Sequence, residues 1–146
     1  MECIIYKTIR KQISISNREI QEIVSSVFTY LKKRDKSISI HLIGDCKMKT
    51  LNTNFRGKES TTDVLSFAIQ EGEHFFDSED VGDIFISIQQ IKKQAKEFHI
   101  SFKEEFVRML VHGILHVNGY DHETKKEAKQ MFHLQEEIIK NLINII

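Results

Sequence analysis

No proline occurs anywhere in the 146 residues, cysteine appears only twice, and neither charge sign is in excess. Each shortage excludes something. Without proline, the loops must close on the turn chemistry of Gly, Asn, Asp and Ser. Cys3 and Cys46 are too few and too far apart for a disulfide framework or a Cys-based zinc motif, and two reduced thiols suit a cytosolic setting. Lys and Arg together number 21, as do Asp and Glu, so the formal net charge is zero. Whole-protein attraction to a polyanion is therefore absent, and any contact with nucleic acid must be a local patch. The opening Met-Glu-Cys carries no basic segment ahead of an apolar run. No stretch approaches the ~20 apolar residues of a bilayer span. The expectation is a soluble, cytoplasmic chain with no membrane partner.

What is present reads as one domain over residues 1–146, long enough to bury roughly two thirds of its unfolded surface. Residues 3–9 suggest a first strand. Ser16 followed by Glu19 is a capping box, opening a helix whose stripe is Ile20, Ile23, Val24, Val27, Phe28 and Leu31. Residues 37–43 alternate Ile38, Ile40 and Leu42 with Ser39 and His41, the two-residue period of a half-buried strand, so His41 is expected to face away from the core. Gly44-Asp45 breaks that strand, and residues 47–54 suit a short helix resting on Met48, Leu51 and Phe55. Strands are expected over 62–69 and 81–87, separated by an acidic insert, 71–80, of the kind that makes a solvated hairpin loop. Helices are expected over 87–98, from a second capping box at Ser101 and Glu104 to Gly119, and from about 123 to 142. Interleaved strands and helices without strict alternation predict an α+β fold, a mixed and mainly four-stranded sheet packed with about five helices.

The chemistry concentrates in residues 112–122, His-Gly-Ile-Leu-His-Val-Asn-Gly-Tyr-Asp-His. On a helix, His112 and His116 project from one face about a turn apart, so both imidazoles can reach one metal. Gly119 can end the helix in a left-handed cap and return the chain so that His122 supplies a third nitrogen. Three neutral imidazoles with an open fourth position suit one Zn2+ ion per chain, which would bind a water and lower its pKa to about 7. With seven histidines and six glycines in the chain, this spacing arises by chance with a probability on the order of 10⁻³. His41, His74, His99 and His133 lack ligand spacing and read as surface or partly buried histidines. The spacing is that of the metzincin-like His-x3-His protease helix, except that Gly113 stands where those proteases carry their glutamate base.

Three runs together carry a more specific resemblance: 111–122, Asn54-Phe-Arg-Gly-Lys-Glu-Ser-Thr-Thr-Asp-Val-Leu-Ser-Phe67, and Gly82-Asp-Ile-Phe-Ile-Ser87. They resemble the YbeY family, and the order of elements matches from about residue 38 to 135. Two departures are Ala68, where members commonly have proline, and the first 35 residues, which carry no matched motif. The resemblance implies a bacterial, zinc-dependent, single-strand-specific endoribonuclease acting in 16S ribosomal RNA 3′-end maturation and ribosome quality control. It implies the ribosome or its small subunit, and an Era-type GTPase, as partners. It also implies His112, His116 and His122 as zinc ligands and Arg56 as the functionally important arginine.

A guanidinium, always charged and fork-shaped, suits bidentate clamping of a phosphate as charge develops on it. Lys58, Lys47, Lys49 and the helix face of Lys92, Lys93 and Lys96 are further candidates for RNA contact, against the plainer reading of a solvated face. Asp63, Asp83 and Asp121 are read as structural or turn residues, with support of a histidine as the sharper possibility. Two other functions compete: a metalloprotease-like hydrolase, which Gly113 disfavours, and a non-catalytic ribosome-assembly factor with structural zinc, which would need a fourth protein ligand.

Overall fold

A computed structural model describes residues 2–33, 35–69 and 80–143. The acidic insert and His74 therefore lie outside the described residues, apart from Asp80. In chain order the elements are β1 (Glu2–Lys7), α1 (Asn17–Tyr30), β2 (Ser37–Ile43), α2 (Asp45–Arg56), β3 (Val64–Ala68), β4 (Asp80–Ser87), α3 (Ile88–Glu97), α4 (Phe102–Val117) and α5 (Lys125–Ile143). This is the expected α+β arrangement of a four-stranded mixed sheet and five helices. The strand order is β1-β2-β4-β3, with β1, β2 and β4 parallel and β3 antiparallel at one edge.

The helix starts follow the expected caps. The Ser16 hydroxyl accepts from the Glu19 amide while the Glu19 side chain accepts from the Ser16 amide, completing the box. At Ser101 the hydroxyl half of the motif is made, to Glu104; Ser87, expected inside its helix, instead caps it by accepting from the Gln90 amide. Two boundaries differ from expectation. Asp45, read as part of a break, begins α2 behind Gly44, which caps in extended conformation. Its carboxylate accepts from Thr61, Ser87 and Gln90, and these long-range bonds carry the helix two residues further back than local propensity suggests. Residues 62 and 63 lie ahead of β3, although the Asp63 carbonyl already accepts from the Ser87 amide at 2.9 Å. Asp63 Oδ1 accepts from the Val64 amide at 2.8 Å and its Oδ2 from Gln94 at 3.1 Å.

The sheet divides the interior in two. On one face, α1 contributes Ile20, Ile23, Val24, Val27 and Phe28, and α4 contributes Phe106, Val107, Leu110, Val111, Ile114, Leu115 and Val117 to the main core. Burying a side chain such as Phe106 contributes about 1.5–3 kcal/mol. Helix α4 buries residues on most of its circumference from Glu105 to Val117, and it packs against β3, β4, α3, α5 and α1. On the other face α2 sets Met48 and Leu51 against Ile43, Leu65, Phe67 and Phe85. Phe55, expected to pack there, is 64% exposed. Beyond α2 the register aligns Tyr6, His41 and Phe85 across three strands, and their rings stack at centroid distances of 4.8 and 4.1 Å. His41 thus faces away from the main core, as its alternation predicts. Among the described residues no helix is long and apolar enough to cross a membrane.

Candidate metal centre

Helix α4 brings two histidines to one place by its own geometry. His112 and His116 are half-buried, and their Nε2 atoms face each other at 3.1 Å. The chain then reverses. The Gly119 amide donates to His116 and the Tyr120 amide to Leu115, with Gly119 at φ +97°, the left-handed region that glycine accepts without strain. This return delivers His122, whose ring centroid lies 5.0 Å from that of His116 and 6.0 Å from that of His112. One nitrogen from each imidazole falls within 4.8 Å of the other two.

The donor set fits a metal. Nitrogens on a tetrahedral zinc would stand about 3.3 Å apart, close to the separation already found between His112 and His116. Burial, then the neighbouring His112 and His122, push the pKa of His116 down to about 4, which keeps it in the neutral form that ligates. His112 Nδ1 donates to the Gln135 side-chain oxygen at 2.8 Å, leaving Nε2 free to coordinate. Orienting a ligand through its second nitrogen is the usual second tier of a metal site. The group contains His112, His116 and His122, with no fourth His, Cys, Asp or Glu among the described residues.

Gly113 explains why the protease glutamate has no counterpart. A Cβ there would lie 3.0 Å from Ile84 Cγ2 and 3.2 Å from the Ser66 hydroxyl, so α4 presses directly on β3 and β4. A side chain at that position would be crowded, requiring Ile84 and Ser66 to give way by a few tenths of an ångström.

The triad opens into a cleft of about 740 Å³, whose other wall includes Asn52, Arg56, Lys58 and residues 60–66. Arg56 ends α2, held there by Gly57 at φ +69°. Its Nη2 donates to the Ser66 carbonyl at 3.1 Å, and its guanidinium carbon lies 5.9 Å from the Phe67 ring centre. Of the cations expected to meet RNA, Arg56 and Lys58 line this cleft, whereas Lys47, Lys49, Lys92, Lys93 and Lys96 are exposed outside it.

The carboxylates serve the frame rather than the histidines of the triad. Asp63 holds its turn, Asp121 accepts from the His122 amide at 2.7 Å, and Asp83 bonds His41 at 2.8 Å. Two contributors escaped sequence reasoning. Gln135 is buried on the α5 stripe of Met131, Ile138, Ile139 and Leu142, and a polar residue at a core-facing position was the available signal. Asn52 is also buried, and its amide donates to the Ser60 carbonyl at 2.7 Å, bracing the cleft wall.

The chain's similarities agree with this geometry. A family model described as Endoribonuclease YbeY matches residues 5–143. An Endoribonuclease YbeY of Persephonella marina is 43% identical over 130 residues, covering 88% of this chain and 85% of that one. One from Petrotoga mobilis is 41% identical over 131 residues, covering 88% and 87%. A Thermotoga maritima protein solved in solution superposes with a TM-score of 0.65 at 29% identity, covering 94% of this chain and 87% of that one.

Proposed function

The chain belongs to the YbeY family and is an endoribonuclease, and on that premise we propose that it is zinc-dependent and single-strand-specific, cutting in the 3′-end maturation and quality control of 16S ribosomal RNA. The ribosomal small subunit and an Era-type GTPase belong to the same reading as partners. The observation that carries it is the meeting of three convergent imidazoles with Arg56 in one cleft.

In this proposal His112, His116 and His122 hold the ion. When bound, it supplies Lewis-acid polarisation of the phosphate or an activated water. Arg56 clamps the phosphoryl oxygens, and its bond to the Ser66 carbonyl presets the guanidinium before RNA arrives. Gln135 fixes the tautomer of His112. The cleft wall of residues 60–66 is tied to the frame through Asp45 and Asn52, which limits the reorganisation needed on binding.

The competing readings have specific observations against them. Gly113 supplies no base and is closely packed by Ile84 and Ser66, which opposes peptide hydrolysis by the zinc-protease route. The three-histidine donor set leaves a coordination position for substrate, unlike the four-ligand closure of structural zinc. The test is cleavage of a labelled single-stranded RNA by the zinc-loaded protein beside Arg56→Ala and His116→Ala purified identically. Cleavage by the wild type alone supports the assignment. Equal cleavage by all three points to a contaminant and removes its support.

A further inference from the structure

Phe55 is the most exposed of the large apolar side chains among the described residues, at 64%. It precedes Arg56 on the last turn of α2. Its ring meets Phe67 edge to face at 5.4 Å, and Phe67 in turn meets Phe85 at 5.7 Å. Phe85 is stacked against His41. Phe55 therefore stands on a rigid aromatic footing while its own ring remains open to solvent. Phe98 and Phe132 are almost as exposed, and a single open apolar side chain is ordinary; what sets Phe55 apart is its aromatic footing and its place beside Arg56.

Continuity with the cleft identifies its partner. Arg56 lines the cleft and also lies over Phe67, so the cleft and the aromatic footing share one residue. The Arg56 guanidinium carbon at 5.9 Å and the Phe55 ring at 5.4 Å both lie against the Phe67 ring, so Phe55 stands within reach of a nucleotide whose phosphate Arg56 holds. Resting on the reading of Arg56 given above, we propose that Phe55 is a stacking site for the nucleobase next to the scissile phosphate of single-stranded RNA, with Phe67 as its buttress. A ring with a free face accepts any base, provided the base is unpaired. Phe55 would thereby contribute to preference for single strands without reading sequence.

The test uses the zinc-loaded protein and a single-stranded oligoribonucleotide carrying 2-aminopurine at successive positions, followed by stopped-flow fluorescence before cleavage and by KM and kcat afterwards. Phe55→Ala and Phe55→Leu are expected to raise KM by about fivefold or more, to leave kcat within about twofold, and to abolish quenching at a single position beside the cut. Phe55→Trp is expected to restore both signals. Wild-type KM and quenching in Phe55→Ala would overturn the proposal. So would full function in Phe55→Leu, which would assign the residue to an apolar protein contact instead. Thermal melts of each variant verify folding, which an exposed ring should hardly affect. If the wild type cleaves, Arg56→Ala does not, and all Phe55 variants match the wild type, the stacking site falls alone. If quenching depends on Phe55 but no RNA is cut, the stacking site stands and the cleavage reading falls. An absence of both binding and cleavage overturns both.

Discussion

His41 and His116 are both half-buried imidazoles surrounded by other rings, yet their neighbours assign them different work. His41 lies between Tyr6 and Phe85 with a carboxylate, Asp83, at 2.8 Å. Both faces of that ring and its Nε2 are held by neighbours. His116 faces two further imidazoles and burial depresses its pKa to about 4, so its nitrogen is kept neutral and aimed at a shared point. A carboxylate and aromatic faces suit a histidine to bracing the sheet, and a setting among histidines suits one to holding a metal ion. The comparison separates the two roles by surroundings, since both residues occupy regular secondary structure.

The largest expected effect breaks the comparison outright. His116→Ala should remove stoichiometric zinc and reduce RNA cleavage by about a thousandfold or more, because two imidazoles bind the ion poorly. His41→Ala should retain zinc and cleave within about twofold of the wild type. Metal content and cleavage rate measured on the same preparations check both. Loss of zinc in His41→Ala would show that the sheet-face histidine belongs to the site.

Next is Arg56→Ala, expected to lower kcat about 10²–10³-fold, the usual consequence of losing one preorganised charge-stabilising group, with zinc content unchanged. Arg56→Lys keeps the charge without the fork and should recover only part of the loss. Single-turnover cleavage of single-stranded RNA measures it. Gln135→Leu comes third. The substitution preserves volume on the α5 stripe but releases His112 Nδ1, and zinc affinity should fall about 10–100-fold, read by competition with a chromogenic chelator. An unchanged affinity would show that the helix alone orients His112.

Much of this was legible in the chain. The stripe of α1, the caps at Ser16 and Ser101, and the strand over 37–43 follow from local periodicity and hydroxyl chemistry, which act over a few residues. His112, His116, Gly119 and His122 were equally readable because one helix and one turn position all of them. What escaped depends on contacts distant in sequence. The start of α2 at Asp45 is set by Thr61, Ser87 and Gln90, and Phe55 is left open because α2 covers only part of its sheet face with Met48 and Leu51. Gln135 meets His112 across 23 positions. Gly113 was recognised as a missing base, while the reason for it, the approach of α4 to Ile84 and Ser66, exists only in three dimensions.

A smaller effect sharpens the comparison through pH. In the metal-free protein the folded-state pKa of His116 lies near 4 against an ordinary value of 6.5. Above pH 6.5 the ring is neutral in both folded and unfolded chains and pH has no hold on stability through it. Between pH 6.5 and 4 the unfolded chain takes up a proton that the folded one refuses, so stability falls as pH falls and levels off below about 4. The shift corresponds to at most about 3 kcal/mol, and screening at a half-buried ring reduces the expected loss to about 1–2 kcal/mol. Urea unfolding of the chelated wild type and of His116→Ala across this range checks it, since the slope should be shallower in the variant.

The smallest effect belongs to the other histidine. Asp83→Asn keeps a hydrogen-bonding side chain beside His41 and removes only its charge. The pair sits on the open sheet face, with the Asp83 side chain 41% exposed, where such an interaction contributes about 1 kcal/mol or less. The melting temperature should drop by a few degrees or less, and zinc content and cleavage should match the wild type. A loss of cleavage at unchanged stability would connect the sheet face to catalysis. The aromatic line from His41 through Phe85 and Phe67 to Phe55 would then be coupled to the site, where the geometry gives it the role of a footing.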